Sequence, residues 1–199
     1  MFAVIFEVRP RPDRWERYLA IARMLRPELE RIEGFVENTR YRSDTREGLL
    51  LSLSLWRDEK ALIRWRTHAG HFAAQGEGRA EVLDDYRLRV GEVAAIRGEG
   101  AAPLPAASRL DVTETGEATA LALVAGGATM PGALVKDRFT AILEPHEMLS
   151  MGGYATLDGA VDAIGEGTAR RLAIRIIRDY GMLDRREAPQ FHPPVRRSP

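Results

Sequence analysis

The sequence predicts an α+β fold built on a ferredoxin-like split βαβ unit, an antiparallel sheet with helices on one face. Three observations carry this reading. Apolar, β-branched or aromatic runs recur at Phe2–Val8, Phe35–Tyr41, Leu49–Trp56 and roughly Arg87–Arg97. Stretches with apolar residues in steps of three and four separate the first run from the second and the third from the fourth. Within LSLSLW the alternation is strict, with Leu51, Leu53 and Leu55 facing one way and Ser52, Ser54 and Trp56 the other.

Each element follows from its own residues. Phe2 to Val8 is apolar on both faces and stops at Arg9-Pro10-Arg11-Pro12, as suits a strand buried on both sides. Trp15, Tyr18, Leu19, Ala22, Leu25, Leu29 and Ile32 mark one face of a helix that Gly34 ends. Pro27 lies inside that pattern, so a kink or two abutting helices is expected. The polar stretch from Ser43 to Gly48 joins the next two strands as a hairpin. Asp58 can cap a helix bearing Ala61, Leu62 and Trp65, and Thr67 can cap another. Asp84, Asp85 and Tyr86 read as the polar end of that helix, ahead of the fourth strand. Trp15 reads as core. Because the first strand is apolar on both faces, the open side of the sheet calls for a second sheet, from another subunit or from the rest of the chain.

Residues 98–108 are small and proline-punctuated and read as a linker between residues 1–97 and residues 109–199. Strands are expected at 118–126 and at Leu172–Ile177. LSLSLWRDEKALIRW can be laid against LSMGGYATLDGAVDA, and RLRVGEVAAIR against RLAIRIIRDYG. This weak internal repeat makes the second half a degenerate copy without most of the first helix and without the histidine segment, followed by a proline-rich tail. In that tail His192 has no evident partner, and the pairs Arg185-Arg186 and Arg196-Arg197 read as solvated or docked on a partner.

Composition narrows the function classes. With 45% hydrophobic and 29% charged residues the 199-residue chain has globular composition, and its 29 basic and 29 acidic residues cancel. Nothing global draws it to nucleic acid or to an anionic membrane. The lack of cysteine removes disulfides and thiolate chemistry. The N-terminus MFAVIFEVRP does not read as a leader, and no run approaches the ~18 apolar residues of a membrane span, so a cytoplasmic protein is expected.

Residues 65–79, WRTHAGHFAAQGEGR, carry the densest chemistry, with two of the chain's four histidines. On a helix starting after Thr67, His68, Phe72, Gln75 and Arg79 share one stripe and His71 lies on the adjoining face. The plain alternative is an amphipathic helix anchored by Phe72, with histidines at its margin. His68 and His71 could share a metal ion, but no third ligand stands at a recognisable spacing, Glu77, Glu81 and His146 included. No GxSxG elbow supplies a serine nucleophile. Gly76-Glu77-Gly78 puts a carboxylate where a phosphate cradle needs amides and lysine.

The run GFVENTRY followed by LLLSLSLWRDEKALIRWRTHAGHFAAQGEGRAEVLDDYRLRVGEV resembles the antibiotic biosynthesis monooxygenase domain, of the dimeric α+β barrel group, over roughly residues 1–97. The most specific part is W-R-D-E, W-R and the two histidines followed by A-x-Q-G-x-G-R. IRDYGMLDRREAPQF resembles tails found on tandem versions of the domain. The resemblance implies a dimeric or pseudo-dimeric α+β barrel, a homodimer by default or a monomer if two halves of one chain close the barrel. Some members oxidise polyketide-like phenols with dioxygen and no cofactor, and others degrade haem. The haem branch resembles an Asn in strand one, a Trp near the end of the second helix and a ligating His ten residues later. Here Trp65 is present, but Gln75 stands at the ligand position and strand one offers Glu7.

Cofactor-free oxygenation needs a substrate that becomes the electron donor, an acidic phenol or enol deprotonated in a dry pocket. A histidine suits as base and an indole N–H can hold the developing oxyanion. The expected catalytic residues are therefore Trp65, His68 and His71. Tyr41, Trp56, Phe72, Gln75, Arg79 and Tyr86 are expected to bind a small aromatic substrate, with no cofactor, or haem as the alternative. A non-catalytic ligand-binding barrel is the reading from another class.

Overall fold

In the computed structural model, which describes residues 1–195, eight antiparallel strands close one barrel in the order β1-β3-β2-β6-β7-β5-β8-β4. Chain order gives β1 (Phe2–Pro10), α1 (Trp15–Glu30), β2 (Phe35–Ser43), β3 (Leu50–Trp56), α2 (Glu59–Thr67), α3 (Ala69–Glu77) and β4 (Leu83–Arg97). The second half has β5 (Ala120–Ala125), β6 (Val135–Ala141), β7 (Met148–Tyr154), α4 (Leu157–Ile164) and β8 (Arg171–Gly181). Each half contributes four neighbouring strands, β2-β3-β1-β4 and β6-β7-β5-β8, so the α+β barrel expected from the split βαβ order is pseudo-dimeric and closes within one chain. The pair Arg196-Arg197 lies outside the described residues. Among the described residues, no helix is long and apolar enough to cross a membrane.

Two seams join the halves. The long one pairs β4 with β8 from Arg87↔Gly181 to Arg97↔Arg171, and the short one pairs β2 with β6 over three positions. Gly91 sits at a bulge in the long seam, where a Cβ would lie 2.3 Å from Ile174 Cγ2 and 2.6 Å from the Arg175 carbonyl. Only glycine lets the two strands approach so closely there.

Period-two alternation then sorts side chains inside from outside. Ala3, Ile5, Leu51, Leu53, Leu55, Leu121, Leu123, Phe139, Ile174 and Ile176 fill the barrel with side chains from both halves. Each Leu, Ile or Phe among them contributes about 1.5–3 kcal/mol by leaving water. At one end of the barrel this core gives way to charge. Glu7 (4% exposed) pairs with Arg89 (1% exposed) and, at 2.6 Å, with Arg46, which also reaches Asp137 at 2.7 Å. Burial alone would raise the Asp137 carboxyl, but hydrogen bonds from Thr45, Ser43 and Arg46 outweigh it and hold the group below the usual carboxylate range. The stretch read as a simple hairpin turn is thus part of the barrel's ionic plug.

Several local expectations are corrected. Helix α1 is one helix through Pro27, not two, and Pro27 lies on its exposed side, away from Leu25 and Leu29, which anchor it. Thr67 does not cap α3: its hydroxyl donates back to the Ile63 carbonyl, and the helix starts at His68, whose ψ of 130° breaks it from α2. Asp84, Asp85 and Tyr86 belong to β4, which begins at Leu83 because Tyr86 pairs with Val8 and the strand stays bonded to β1 up to Pro10.

Candidate active site

The outer face of the first half-sheet, helices α1–α3 and the chain after β8 enclose a cavity of about 230 Å³. Its floor is the other parity of the strands that fill the barrel: Val4 and Phe6 on β1, Asn38 and Arg40 on β2, Ser52, Ser54 and Trp56 on β3, Leu88 and Val90 on β4. Register aligns these rows, with Arg40 opposite Ser52, Ser52 opposite Phe6, Phe6 opposite Leu88, and Leu88 opposite Tyr180 of β8. Tyr41 is one residue out of that row and points into the barrel core, so the structure does not bring it to the cavity. Trp56 does line the floor, its indole N–H donating to Ser54 Oγ at 2.9 Å.

Helix α3 presents His71, Ala74 and Gln75 to the cavity, and the π-helical turn that follows it, Gly78–Val82, adds Gly78 and Arg79. The expected stripe is therefore rotated by about one position: His71 faces inward, while His68 and Phe72 face out. The break at His68 resets the register, His68 lying 3.4 Å from Glu28 of α1, and Phe72 (44% exposed) stacks on His192 with ring centroids 5.1 Å apart. Trp65, at the end of α2, lines the cavity and stacks on the His71 ring at 4.3 Å. No acceptor among the described residues takes the Trp65 indole N–H.

His71 Nδ1 lies 2.9 Å from the Trp65 carbonyl, which can only accept, so this nitrogen carries the proton and Nε2 keeps its lone pair. Burial lowers the pKa of His71 to about 4, opposed by the bond to the Trp65 carbonyl and reinforced by the charge of His68. The imidazole is neutral at pH 7 and can accept a proton. Gln75 packs beside it, its amide Nε2 lying 3.2 Å from His71 Nδ1 while donating to the Arg66 carbonyl at 3.3 Å, and its Oε1 accepting from His192 Nε2 at 3.2 Å.

The remaining wall is cationic. Arg26, Arg40, Arg66, Arg79 and Arg185 line the cavity, with no aspartate or glutamate among the lining residues. Arg79, 5% exposed, donates to Tyr86 Oη at 2.6 Å and to the Met182 carbonyl at 3.2 Å. Arg185 donates to the same Tyr86 oxygen at 2.6 Å and lies over the Tyr180 ring. Burial, with Tyr86 adding to it, pushes the Tyr180 hydroxyl up to about 12.

Trp56, Trp65, His71, Gln75, Arg79 and Tyr86 thus meet around one cavity, and Tyr41, His68 and Phe72 do not. Arg40 and Asn38 could have been found by carrying the Ser52–Trp56 parity across to β2. Arg66, Arg185 and His192 gave no such signal, because they meet the cavity only through the fold of α2 and the tail. His192 has partners after all, Gln75 and Phe72.

A pseudo-dimeric α+β barrel with a cavity beneath its first-half helices defines the class. Residues 1–77 match the model of the family described as antibiotic biosynthesis monooxygenase. A relative from Pyricularia oryzae named "Jasmonate monooxygenase ABM" is 44% identical over 217 aligned positions, covering 98% of this chain and 100% of the relative. The chain belongs to the antibiotic biosynthesis monooxygenase family. Solved structures that resemble it include an anthrone oxidase-like protein, at 12% identity with a TM-score of 0.41, covering 95% of this chain and 96% of that one. Another is Rv0793 from Mycobacterium tuberculosis, at 21% identity with a TM-score of 0.41, covering 54% of this chain and 98% of that one.

Proposed function

We propose that the protein is a monooxygenase for a small, mostly apolar organic anion, and that it uses dioxygen without a resident cofactor. The observation that carries the substrate class is the set of five arginines facing an apolar cavity with no carboxylate among its lining residues. Arg26 is paired with Glu30, but Arg40, Arg66, Arg79 and Arg185 are at least half-buried and have no carboxylate partner among the described residues, so the wall favours an incoming anion that pairs them. The Pyricularia relative's name supplies a concrete candidate, since jasmonic acid is a cyclopentanone with an apolar chain and a carboxylic acid arm. The cavity, about 230 Å³, exceeds the ~150 Å³ apolar cavity that takes a single benzene ring, so a one-ring acid with a short chain is within its reach.

In the proposed mechanism, His71 Nε2 takes the proton from an enolisable or phenolic position, and the arginines and the Trp65 indole N–H hold the oxyanion that forms. Dioxygen, favoured by the apolar floor, then takes electrons from that enolate. For an activated methylene the overall change is CH2 plus O2 to C=O plus H2O, which balances without an external reductant. Haem fits poorly. The ligand position by resemblance is Gln75, an amide that cannot replace an imidazole as haem ligand and is already committed to His192 and the Arg66 carbonyl. Because the barrel closes within one chain, we also propose that a monomer is sufficient for activity.

The test is oxygen consumption by chelator-treated protein offered jasmonic acid, its methyl ester and a panel of single-ring phenolic and enolic acids. Uptake is expected with at least one acid and little with the neutral analogues. Neutral compounds turned over as fast as acids would remove the anion reading. Tight acid binding with no oxygen uptake above the uncatalysed rate would instead favour a non-catalytic binding barrel.

A further inference from the structure

The five cavity arginines are not equivalent. Arg26 donates to Glu30 at 2.7 Å. Burial raises the Tyr18 phenol, and the charge of Arg40 beside it works against that rise. Arg79 and Arg185 are spent on Tyr86 and on the carbonyls of Met182, Pro193 and Gln190, which fix them as part of the wall. Arg40 and Arg66 make no well-formed side-chain hydrogen bond and no ion pair among the described residues, and the Nε of each is buried in the cavity wall, but of the two Arg40 has the Tyr18 hydroxyl beside it to share its charge. The charged neighbours of Arg66 make its lack more telling: Arg178 repels it, Tyr180 is a neutral phenol, and Glu59, the one acid acting on it, is bound to Arg109 at 2.7 Å.

We infer that Arg66 is the carboxylate anchor of this cavity, taking the acid group of the substrate and setting the preference for a free acid over its ester. The inference rests on the organic-anion reading above and deepens it by naming the group recognised and the residue that recognises it. A planar guanidinium with unused N–H groups presents the two-pronged donor set that a carboxylate accepts in parallel. Burial pulls the Arg66 guanidinium below the usual arginine range, the mark of a cation waiting for a counterion. Backbone contacts hold it in place. The Arg66 carbonyl accepts from Gln75 at 3.3 Å and from Gln190 of the tail at 3.2 Å, so the anchor is fixed to the helix that carries His71 and to the segment closing the cavity. An acid held there is presented to the base from one short stretch of chain.

The experiment measures dissociation constants for jasmonic acid and its methyl ester by quenching of tryptophan fluorescence, Trp56 and Trp65 both lining the cavity. Wild type is compared with Arg66→Gln, Arg66→Lys and Arg40→Gln. Arg66→Gln is expected to weaken acid binding by roughly ten- to a hundredfold while ester binding stays within about threefold, so the acid-to-ester preference collapses. Arg66→Lys, which keeps the charge, is expected to restore most of that preference. Arg40→Gln is expected to leave the ratio within about threefold, since Arg40 already has Tyr18. If Arg66→Gln and Arg66→Lys both keep the wild-type preference, or if Arg40→Gln is the variant that loses it, Arg66 is not the anchor while the anion reading stands. If wild type binds the ester as tightly as the acid, or binds neither, the anion reading fails and the anchor with it. A circular dichroism melt of each variant separates lost binding from lost folding, and Arg66→Met, for which the same loss of acid preference is expected, carries the test if Arg66→Gln does not fold.

Discussion

His71 offers a measurement in which stability and mechanism report the same proton. Its pKa is lowered from 6.5 to about 4 by burial first, with the bond to the Trp65 carbonyl working against the shift. A histidine whose folded pKa lies below its unfolded one favours folding as the neutral ring. Its contribution is therefore complete above about pH 6.5 and is lost as pH falls from 6.5 toward 4, at ~1.4 kcal/mol per pH unit and about 3 kcal/mol in all. Urea unfolding of wild type and His71→Gln, at about pH 7 and about pH 4.5, isolates this term, because groups common to both proteins cancel in the double difference. Wild type is expected to lose roughly 2–3 kcal/mol more than the variant over that interval. With His71 as the base, the acid limb of kcat/KM is expected near 4, and His71→Gln is expected to lower kcat by about 10²–10⁴. A His71 Cε1 proton that titrates near 6.5 by NMR, together with equal pH slopes for the two proteins, would refute the reasoning.

Other outcomes follow from the same contacts. Tyr86→Phe removes the oxygen shared by Arg79 and Arg185, and is expected to cost about 1–3 kcal/mol in urea unfolding. Glu7→Gln leaves Arg89 without its charge partner in the barrel, and a loss of about 3–5 kcal/mol in the same assay is expected. His68→Ala, outside the cavity, is expected to leave kcat/KM within about threefold of wild type, and a loss comparable to that of His71→Gln would mean that the wrong histidine faces the substrate.

The strands were the most legible part of the sequence, since a half-buried strand writes its two faces into alternate residues. The face carrying Ser52, Ser54 and Trp56 became the cavity floor, and that carrying Leu51, Leu53 and Leu55 became the core. Tyr41 shows the limit of that signal, because assigning it to a face requires the β2–β3 register, in which Tyr41 stands opposite Leu51 and Arg40 opposite Ser52. The histidine segment was readable as chemistry but not as geometry. Helical spacing places His68, Phe72, Gln75 and Arg79 on one stripe, yet a single non-helical ψ at His68 makes α3 a separate helix with its own facing. Arg66 and His192 were invisible for a different reason. Neither sits in a pattern, and what gives each its place is a contact between segments far apart in sequence, Gln190 with the Arg66 carbonyl and His192 with Gln75.

The two halves are related in strand order but not in use, and the difference explains why the site needs both. Trp56 and Tyr154 hold matching positions, paired with Phe2 of β1 and Ala120 of β5, and each stands two residues before the residue that caps the following helix, Asp58 and Thr156. In the first half α1 spans the sheet and leaves room beneath it. In the second half residues 126–134 replace that helix, and Met130 packs on Tyr154, whose hydroxyl donates to the Pro131 carbonyl at 3.1 Å. The Tyr154 ring lies where a Cβ on residue 152 would come within 2.9 Å of it, so Gly152 is what allows the aromatic to fold over its own strand and fill the space. Relieved of a site of its own, this half contributes in another way. Strand β8 lies beside β4 in the barrel, so the chain leaving β8 emerges at the mouth of the first half's cavity, where Arg185, Gln190 and His192 complete the wall. A symmetric pair of identical halves would have to build a helix-covered cavity and a closing tail from the same sequence in both copies. Joining two unequal halves in one chain lets one keep the cavity with Trp65, Arg66 and His71 while the other supplies the second sheet and the cover.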